Sequence, residues 1–190
     1  MNVAGKVVVV TGAASGIGAA LCRAFLQADA ATVVAADIDE AAMTALCEEL
    51  GCAAHPCDVS VETDINRLID KVERRFGPIS LFCSNAGIAA GFDLASENVA
   101  FASNEIWERS WAVNVMAHVY AARSLVPRMR ARGGGYFLNT ASAAGLLSQV
   151  GSAVYATRIT VTRPFLRIGS SPARIAPYNV VRPSPVRAHA

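Results

Sequence analysis

The sequence predicts an α/β protein, a doubly wound parallel sheet in a three-layer α/β/α arrangement, and three observations carry that prediction. Short, almost continuously apolar runs alternate with amphipathic stretches from residue 6 to about residue 140. Runs of that kind are strands covered on both faces, and the stretches between them are crossover helices. The first run ends in a glycine-rich turn, Thr11-Gly12-Ala13-Ala14-Ser15-Gly16-Ile17-Gly18, before a helical period begins. Residues of apolar type make up 53% of a 190-residue chain, which suits one sizeable core and one domain over 1–190.

Taken in order, the strands are expected at 6–11, 32–36, 53–57, 79–83 and 135–140. The helices are expected at 16–28, 40–50, 61–76 and 103–130, the last long and carrying Pro127 near its end. After Tyr155 the pattern degenerates: five of the eight prolines fall there, no acid does, and Pro164 interrupts any helix. The expected sheet therefore lacks its last strand region.

Composition excludes several classes of protein. No apolar run approaches the roughly 20 residues that cross a bilayer, and no charged-then-apolar leader precedes the first strand, so no membrane is expected and residence is expected to be cytoplasmic. The five cysteines (Cys22, Cys47, Cys52, Cys57, Cys83) make no metal-ligand spacing, and buried free thiols are expected. Charge is lopsided: all 15 acids lie at or before Glu108 with six bases, and the other 11 bases follow it. The arginines of the basic half are scattered without regularly spaced aromatics, so no nucleic-acid partner is expected.

In the glycine turn, Gly12 allows the chain to reverse, Gly16 lets backbone approach a diphosphate, and Gly18 lets the helix pack closely; Ser15 and Ile17 complete the cradle. The helix start supplies free N–H groups and the positive end of its dipole, an anion site. About twenty residues on, the second strand ends in Asp37-Ile38-Asp39. A carboxylate there accepts the hydroxyls of an adenosine ribose and repels a 2′-phosphate, which favours NAD over NADP. Either aspartate could instead cap the next helix, Asp39 with better spacing.

The Thr11-Gly12-xxx-Gly16-x-Gly18 spacing resembles the short-chain dehydrogenase/reductase family, whose fold is of Rossmann type. Further landmarks strengthen the resemblance: Asp58-Val59 after the third strand, Ser84-Asn85-Ala86-Gly87 after the fourth, and Asn114 in the long helix. The resemblance implies that Asp58 and Val59 contact adenine, that Asn85, Ala86 and Gly87 support the sheet and line the cofactor, and that Asp37 and Ile38 meet the ribose.

It also implies a catalytic set. Ser142 and Tyr155 stand 13 positions apart, as the family's serine and tyrosine do. Tyr155 would be the acid/base, Ser142 the polariser of the substrate oxygen, and Asn114 the holder of a water in a proton relay. The family places a lysine four residues after the tyrosine, where this chain has Ile159; the nearest cation is Arg158. At about 4 Å and an effective dielectric of about 20, a cation favours phenolate by roughly 4 kcal/mol. Arginine does not release its proton, so it would not relay one.

The expected function is NAD-dependent interconversion of a small apolar secondary alcohol and a ketone by hydride transfer, with Leu146, Leu147 and Val150 as an apolar pocket wall. The alternative is a truncated, non-catalytic NAD-binding protein, since residues 156–190 depart from the family pattern as a disturbed reading frame would. Homo-oligomers are expected through the 103–130 helix.

Overall fold

In the computed structural model, residues 2–91, 101–142, 153–154 and 168–169 are described. Their strands and helices follow the predicted alternation: β1 (Val7–Thr11), α1 (Gly16–Gln27), β2 (Thr32–Asp37), α2 (Glu40–Leu50), β3 (Ala53–Pro56), α3 (Glu62–Phe76) and β4 (Ile79–Ser84). Then come α4 (Asn104–Trp111), a π-helical turn (Ala112–Met116), α5 (Ala117–Ala131), β5 (Gly134–Asn139) and β6 (Ile168–Gly169). The sheet order is β3-β2-β1-β4-β5-β6. Strands β1 to β5 are mutually parallel, so the chain reverses its winding between β1 and β4.

Side-chain alternation along the strands assigns the two faces. Val7 and Val9 of β1 join Val34, Phe82 and the helices α3 and α5 in one core. Val8 and Val10 join Val33, Leu81, Cys83 and the α1 and α2 side in the other. All five residues of β1 are buried, as a strand covered on both faces must be. Each fully buried Val, Leu, Ile or Phe contributes about 1.5–3 kcal/mol. On α3 the buried residues Ile65, Leu68, Ile69 and Val72 recur at helical spacing and meet α5. Polar links lock that contact: Arg128 reaches Asp70 at 2.7 Å and Glu73 at 3.2 Å, and Arg132 pairs with Glu73 and donates to the Ile79 carbonyl.

Three expectations need correction. The single helix at 103–130 is interrupted, because the chain widens to i→i+5 hydrogen bonding over Ala112–Met116 around Asn114; its far end is as expected, with α5 running through Pro127 to Ala131. The cysteines are not all free: Cys47 in the last turn of α2 and Cys52 beyond it are bonded, their Cα atoms 4.6 Å apart. The left-handed Gly51 (φ 71°) closes that helix and folds Cys52 back on Cys47. Cys22, Cys57 and Cys83 are free and buried. Finally, a two-residue strand, β6, lies antiparallel on β5 where no element was expected. Among the described residues no helix is long and apolar enough to cross a membrane.

Candidate active site

A cleft of about 900 Å³ opens over the carboxyl ends of the parallel strands, at the point where the winding reverses. In open α/β sheets this is where ligands bind. The lining residues come from the segments just after the strands: Gly12, Ser15, Gly16 and Ile17 after β1, Asp37 and Ile38 at β2, Asp58 and Val59 after β3, and Asn85, Ala86 and Gly87 after β4. Asn114 and His118 enter from the long helix, and Thr140 and Ala141 follow β5.

The glycine turn has the conformation its residues require. Gly12 takes φ +65°, and a Cβ on it would lie 2.6 Å from the Ala86 Cα. Gly18 has no room either, its missing Cβ facing the Gly12 carbonyl and the Asn85 amide 2.8 Å away; the close packing it permits is thus of helix on turn. Gly16, at φ +51°, has open space where a Cβ would stand. Open space above a helix N-terminus on the cleft wall is what a diphosphate needs.

Asp37 ties this turn to β2. One carboxylate oxygen accepts the Ala14 N–H at 2.9 Å, and the other accepts the Asp39 N–H at 3.0 Å. Asp39 caps α2 by accepting from the Ala42 N–H at 3.0 Å. Asp39 is thus the helix cap, and Asp37 lines the cleft. Asp58 is held by Ser60, whose N–H and hydroxyl donate to one oxygen at 2.9 and 2.7 Å. The free thiol of Cys57 beside it is pushed up to about 12 by burial and by the charges of Asp64 and Asp58, and is inert at neutral pH.

Asn85 joins three strand ends. Its side chain donates to the Thr11 and Gly12 carbonyls at 3.1 and 3.3 Å and accepts from the Thr140 hydroxyl at 2.7 Å. The buried Thr11 hydroxyl accepts the Asn85 and Ala86 N–H groups at 3.0 and 3.2 Å and donates to the Cys83 carbonyl at 3.3 Å. Asn114 performs the same service across the cleft: its Oδ1 accepts the Ile88 N–H at 2.9 Å, and its amide donates to the Ile88 and Ser110 carbonyls. Gly87 makes room for it, since a Cβ there would stand 2.8 Å from Oδ1.

The cleft-lining residues Gly12 to Gly87 and Asn114 are therefore brought together. Gly18 supports them from below, and Ser142 stands half-buried one residue beyond Ala141. Tyr155, Arg158, Ile159, Leu146, Leu147 and Val150 lie outside the described residues, although Val154 is buried and packs by Gly91. Sequence reasoning missed Thr11, Thr140 and His118. The first two flank assigned motifs, and His118 follows Asn114 by four residues, hence on the same helix face. His118 is 4% exposed. Burial pushes its pKa down, opposed by contacts with the Asn139 side chain and the Asn114 backbone. Among the described residues no group of acidic, His or Cys side chains could hold a metal ion.

A parallel sheet reversing its winding beneath a glycine-cradled cleft defines a Rossmann-type dinucleotide-binding protein. Comparison with known proteins carries this further: the family model described as short chain dehydrogenase matches residues 6–159, and the chain belongs to that family of oxidoreductases. It is 35% identical over 158 residues to 3beta-hydroxysteroid dehydrogenase 2 of Eggerthella lenta, covering 80% of this chain and 59% of that protein. Among solved structures, a short chain dehydrogenase/reductase from Burkholderia phymatum in complex with NAD aligns with a TM-score of 0.77 at 30% identity, over 85% of this chain and 58% of that one. The NADPH-dependent 3-quinuclidinone reductase of Rhodotorula rubra aligns at 0.74 and 25%, over 85% and 62%. The chain thus spans about three fifths of the length of these proteins.

Proposed function

We propose that the protein is an NAD-preferring oxidoreductase that interconverts a small apolar secondary alcohol and its ketone. The observation that carries this reading is the Asp37 carboxylate, which closes β2 on the cleft wall while anchored to Ala14 of the glycine turn. A fixed negative charge at that point accepts ribose hydroxyls and repels a 2′-phosphate. When bound, the dinucleotide supplies the hydride acceptor or donor. Gly12, Ser15, Gly16, Ile17 and Gly18 form the diphosphate cradle, Asp37 and Ile38 hold the adenosine ribose, Asp58 and Val59 flank adenine, and Asn85, Ala86 and Gly87 support the middle of the dinucleotide.

In the same reading Ser142 donates to the substrate oxygen and Tyr155 exchanges a proton with it, with Arg158 stabilising the phenolate that results. The side chain of Asn114 is committed to Ile88 and Ser110, so any water it orders is held by its backbone carbonyl in the π-helical turn. The steroid alcohol named for the Eggerthella lenta relative belongs to the proposed substrate class. Cytoplasmic residence and self-association through the 103–130 segment, where Trp111 is exposed, complete the proposal.

Calorimetry with NAD and NADH tests the binding part: saturable uptake with NADPH at least tenfold weaker is expected, and no uptake by folded protein refutes it. NADH-dependent carbonyl reduction, abolished by Tyr155→Phe, tests the catalytic part. Binding without turnover removes that part and leaves the non-catalytic alternative.

A further inference from the structure

Four of the five cysteines gather in the core on the α1 and α2 side of the sheet, Cys22, Cys47 and Cys83 within it and Cys52 packed against it. Cys47 and Cys52 are bonded, and the backbone between them explains why the two sulfurs meet. Gly51 is left-handed at φ 71°, and the Cys47 carbonyl accepts the N–H groups of both Gly51, at 2.8 Å, and Cys52, at 3.2 Å. These contacts do not involve sulfur. They fold Cys52 back on Cys47 whether the sulfurs are bonded or not, so a reduced pair stays placed to close again.

The bond also couples weakly to folding. It joins residues five apart in sequence. In the chain-entropy account, closing so short a loop favours the folded state by roughly 40-fold, against roughly 3,000-fold for a hundred-residue loop. A domain with two extensive buried cores loses the smaller factor and remains folded. The two sulfurs differ in access. Cys47 is 6% exposed and belongs to the core. Cys52 is half-buried between the exposed Gly51 and β3, the last strand of the sheet on that side. Which sulfur is attacked depends on which can be reached.

We propose that Cys47 and Cys52 form a thiol–disulfide exchange site that takes a low-molecular-weight thiol and its disulfide, with entry at Cys52. In the reducing direction the thiolate of a first thiol attacks the Cys52 sulfur. A new S–S bond forms, the Cys47–Cys52 bond breaks, and Cys47 leaves with the electron pair and takes up a proton. A second thiol attacks the incoming sulfur of this mixed disulfide, releases Cys52 as a thiol and departs as the small-molecule disulfide. Two small thiols are thereby oxidised to one disulfide, and two electrons and two protons pass to the protein. The oxidising direction is the reverse. Cys22, Cys57 and Cys83 stand outside the exchange. All three are buried, and burial pushes the Cys22 thiol up to about 11 and the Cys57 thiol up to about 12, and raises that of Cys83 as well. None offers a thiolate at neutral pH. The site also leaves the cleft clear, because α2 runs 11 residues from its Asp39 cap to Leu50, about 16 Å of helix.

The test treats the folded full chain with dithiothreitol and then with oxidised glutathione, and counts thiols after an acid quench and denaturation. Reduction should raise the count from three to five with a cooperative thermal melt retained. Oxidised glutathione should return it to three, with Cys47 and Cys52 paired again by peptide mapping. A count that stays at three in the folded protein, loss of the melt on reduction, or a pair that oxidised glutathione does not close overturns the proposal. So does re-oxidation that joins either cysteine to Cys22, Cys57 or Cys83. Single variants test the point of entry: Cys47→Ser should take up one glutathione, on Cys52, and Cys52→Ser none. Equal uptake by the two, or none by Cys47→Ser, overturns it. Should either variant fail to fold, the mixed disulfide trapped by acid during reduction of the wild type with glutathione decides. Glutathione mapped to Cys52 is expected, and glutathione mapped to Cys47 refutes entry at Cys52.

Discussion

Replacing Asp37 by asparagine removes one charge and little volume from the position on which cofactor preference is argued to rest. In the wild type both carboxylate oxygens are in use, one accepting from Ala14 and the other from Asp39. An asparagine can keep one of these acceptors, and its NH₂ then faces the other N–H, so folding should lose about 1–2 kcal/mol. Toward the cofactor, a charged acceptor for ribose hydroxyls is worth about 1.5–3 kcal/mol, so NADH should bind roughly 10- to 100-fold more weakly. Toward a 2′-phosphate the sign reverses. Unit charges about 5 Å apart at a dielectric of about 20 repel by roughly 3 kcal/mol, and partial exposure reduces this to about 2, or some 30-fold. Fluorescence titration with NADH and NADPH, beside urea denaturation to subtract the folding loss, should therefore show the NADH:NADPH preference falling by at least about 30-fold in Asp37→Asn. A wild type that binds NADPH as tightly as NADH, or a variant with unchanged preference, refutes the reasoning.

Three further outcomes follow from the same contacts. Thr11→Val keeps the shape of a buried side chain but strands the Asn85 and Ala86 N–H groups, so denaturant unfolding should show a loss of about 2–4 kcal/mol; a loss under about 0.5 would show that these groups find other acceptors. Glu73 is partly desolvated, which pushes its pKa up, but the hydrogen bonds from Arg132, the Ile79 N–H and Arg128 outweigh this and hold it below its ordinary 4.5. A depressed carboxylate stabilises the fold above its unfolded pKa and loses that contribution as pH falls through the folded one. Thermal melts of Glu73→Gln should accordingly lie below wild type at pH 7 and converge with it under pH 4; parallel curves would argue against the linkage. Thiol titration in denaturant without reductant should count three free cysteines per chain, Cys22, Cys57 and Cys83; a count of five would mean that Cys47 and Cys52 are not bonded.

The central strands β1, β2 and β4 were legible because burial on both faces forces continuous apolar runs, and the glycine turn because only glycine tolerates φ +65° with Ala86 backbone at 2.6 Å. Spacing favoured Asp39 as the helix cap, and the structure bears that out through its bond from the Ala42 N–H; the tie from Asp37 to Ala14 across the β1 turn is long-range and left no mark in the sequence. The π-helical turn was not read from the sequence, because Ala112–Met116 carries no Gly or Pro to mark a change of helix type. The Cys47 and Cys52 pair was missed for a related reason: a spacing of five means nothing until Gly51 turns left-handed and doubles the chain back.

The hydrogen bonds that hold the sheet together at its carboxyl end also shape the cleft. Asn85 binds the ends of β1 and β4 to Thr140 beyond β5, and Asn114 binds the helix to the segment after β4 through Ile88. Neither side chain has a spare donor to offer a ligand, so both act by fixing the backbone around them, and catalytic groups mounted on that backbone inherit its position. Loss of Asn85 should then weaken stability and the binding of NADH and NADPH alike, whereas loss of Asp37 should also change the preference between the two, because its second role is directed at the ligand. That contrast identifies which polar residues in the cleft are frame and which are reader. In the proposed reading, cofactor choice then rests on the carboxylate at β2, which lines the cleft while it is tied to the glycine turn.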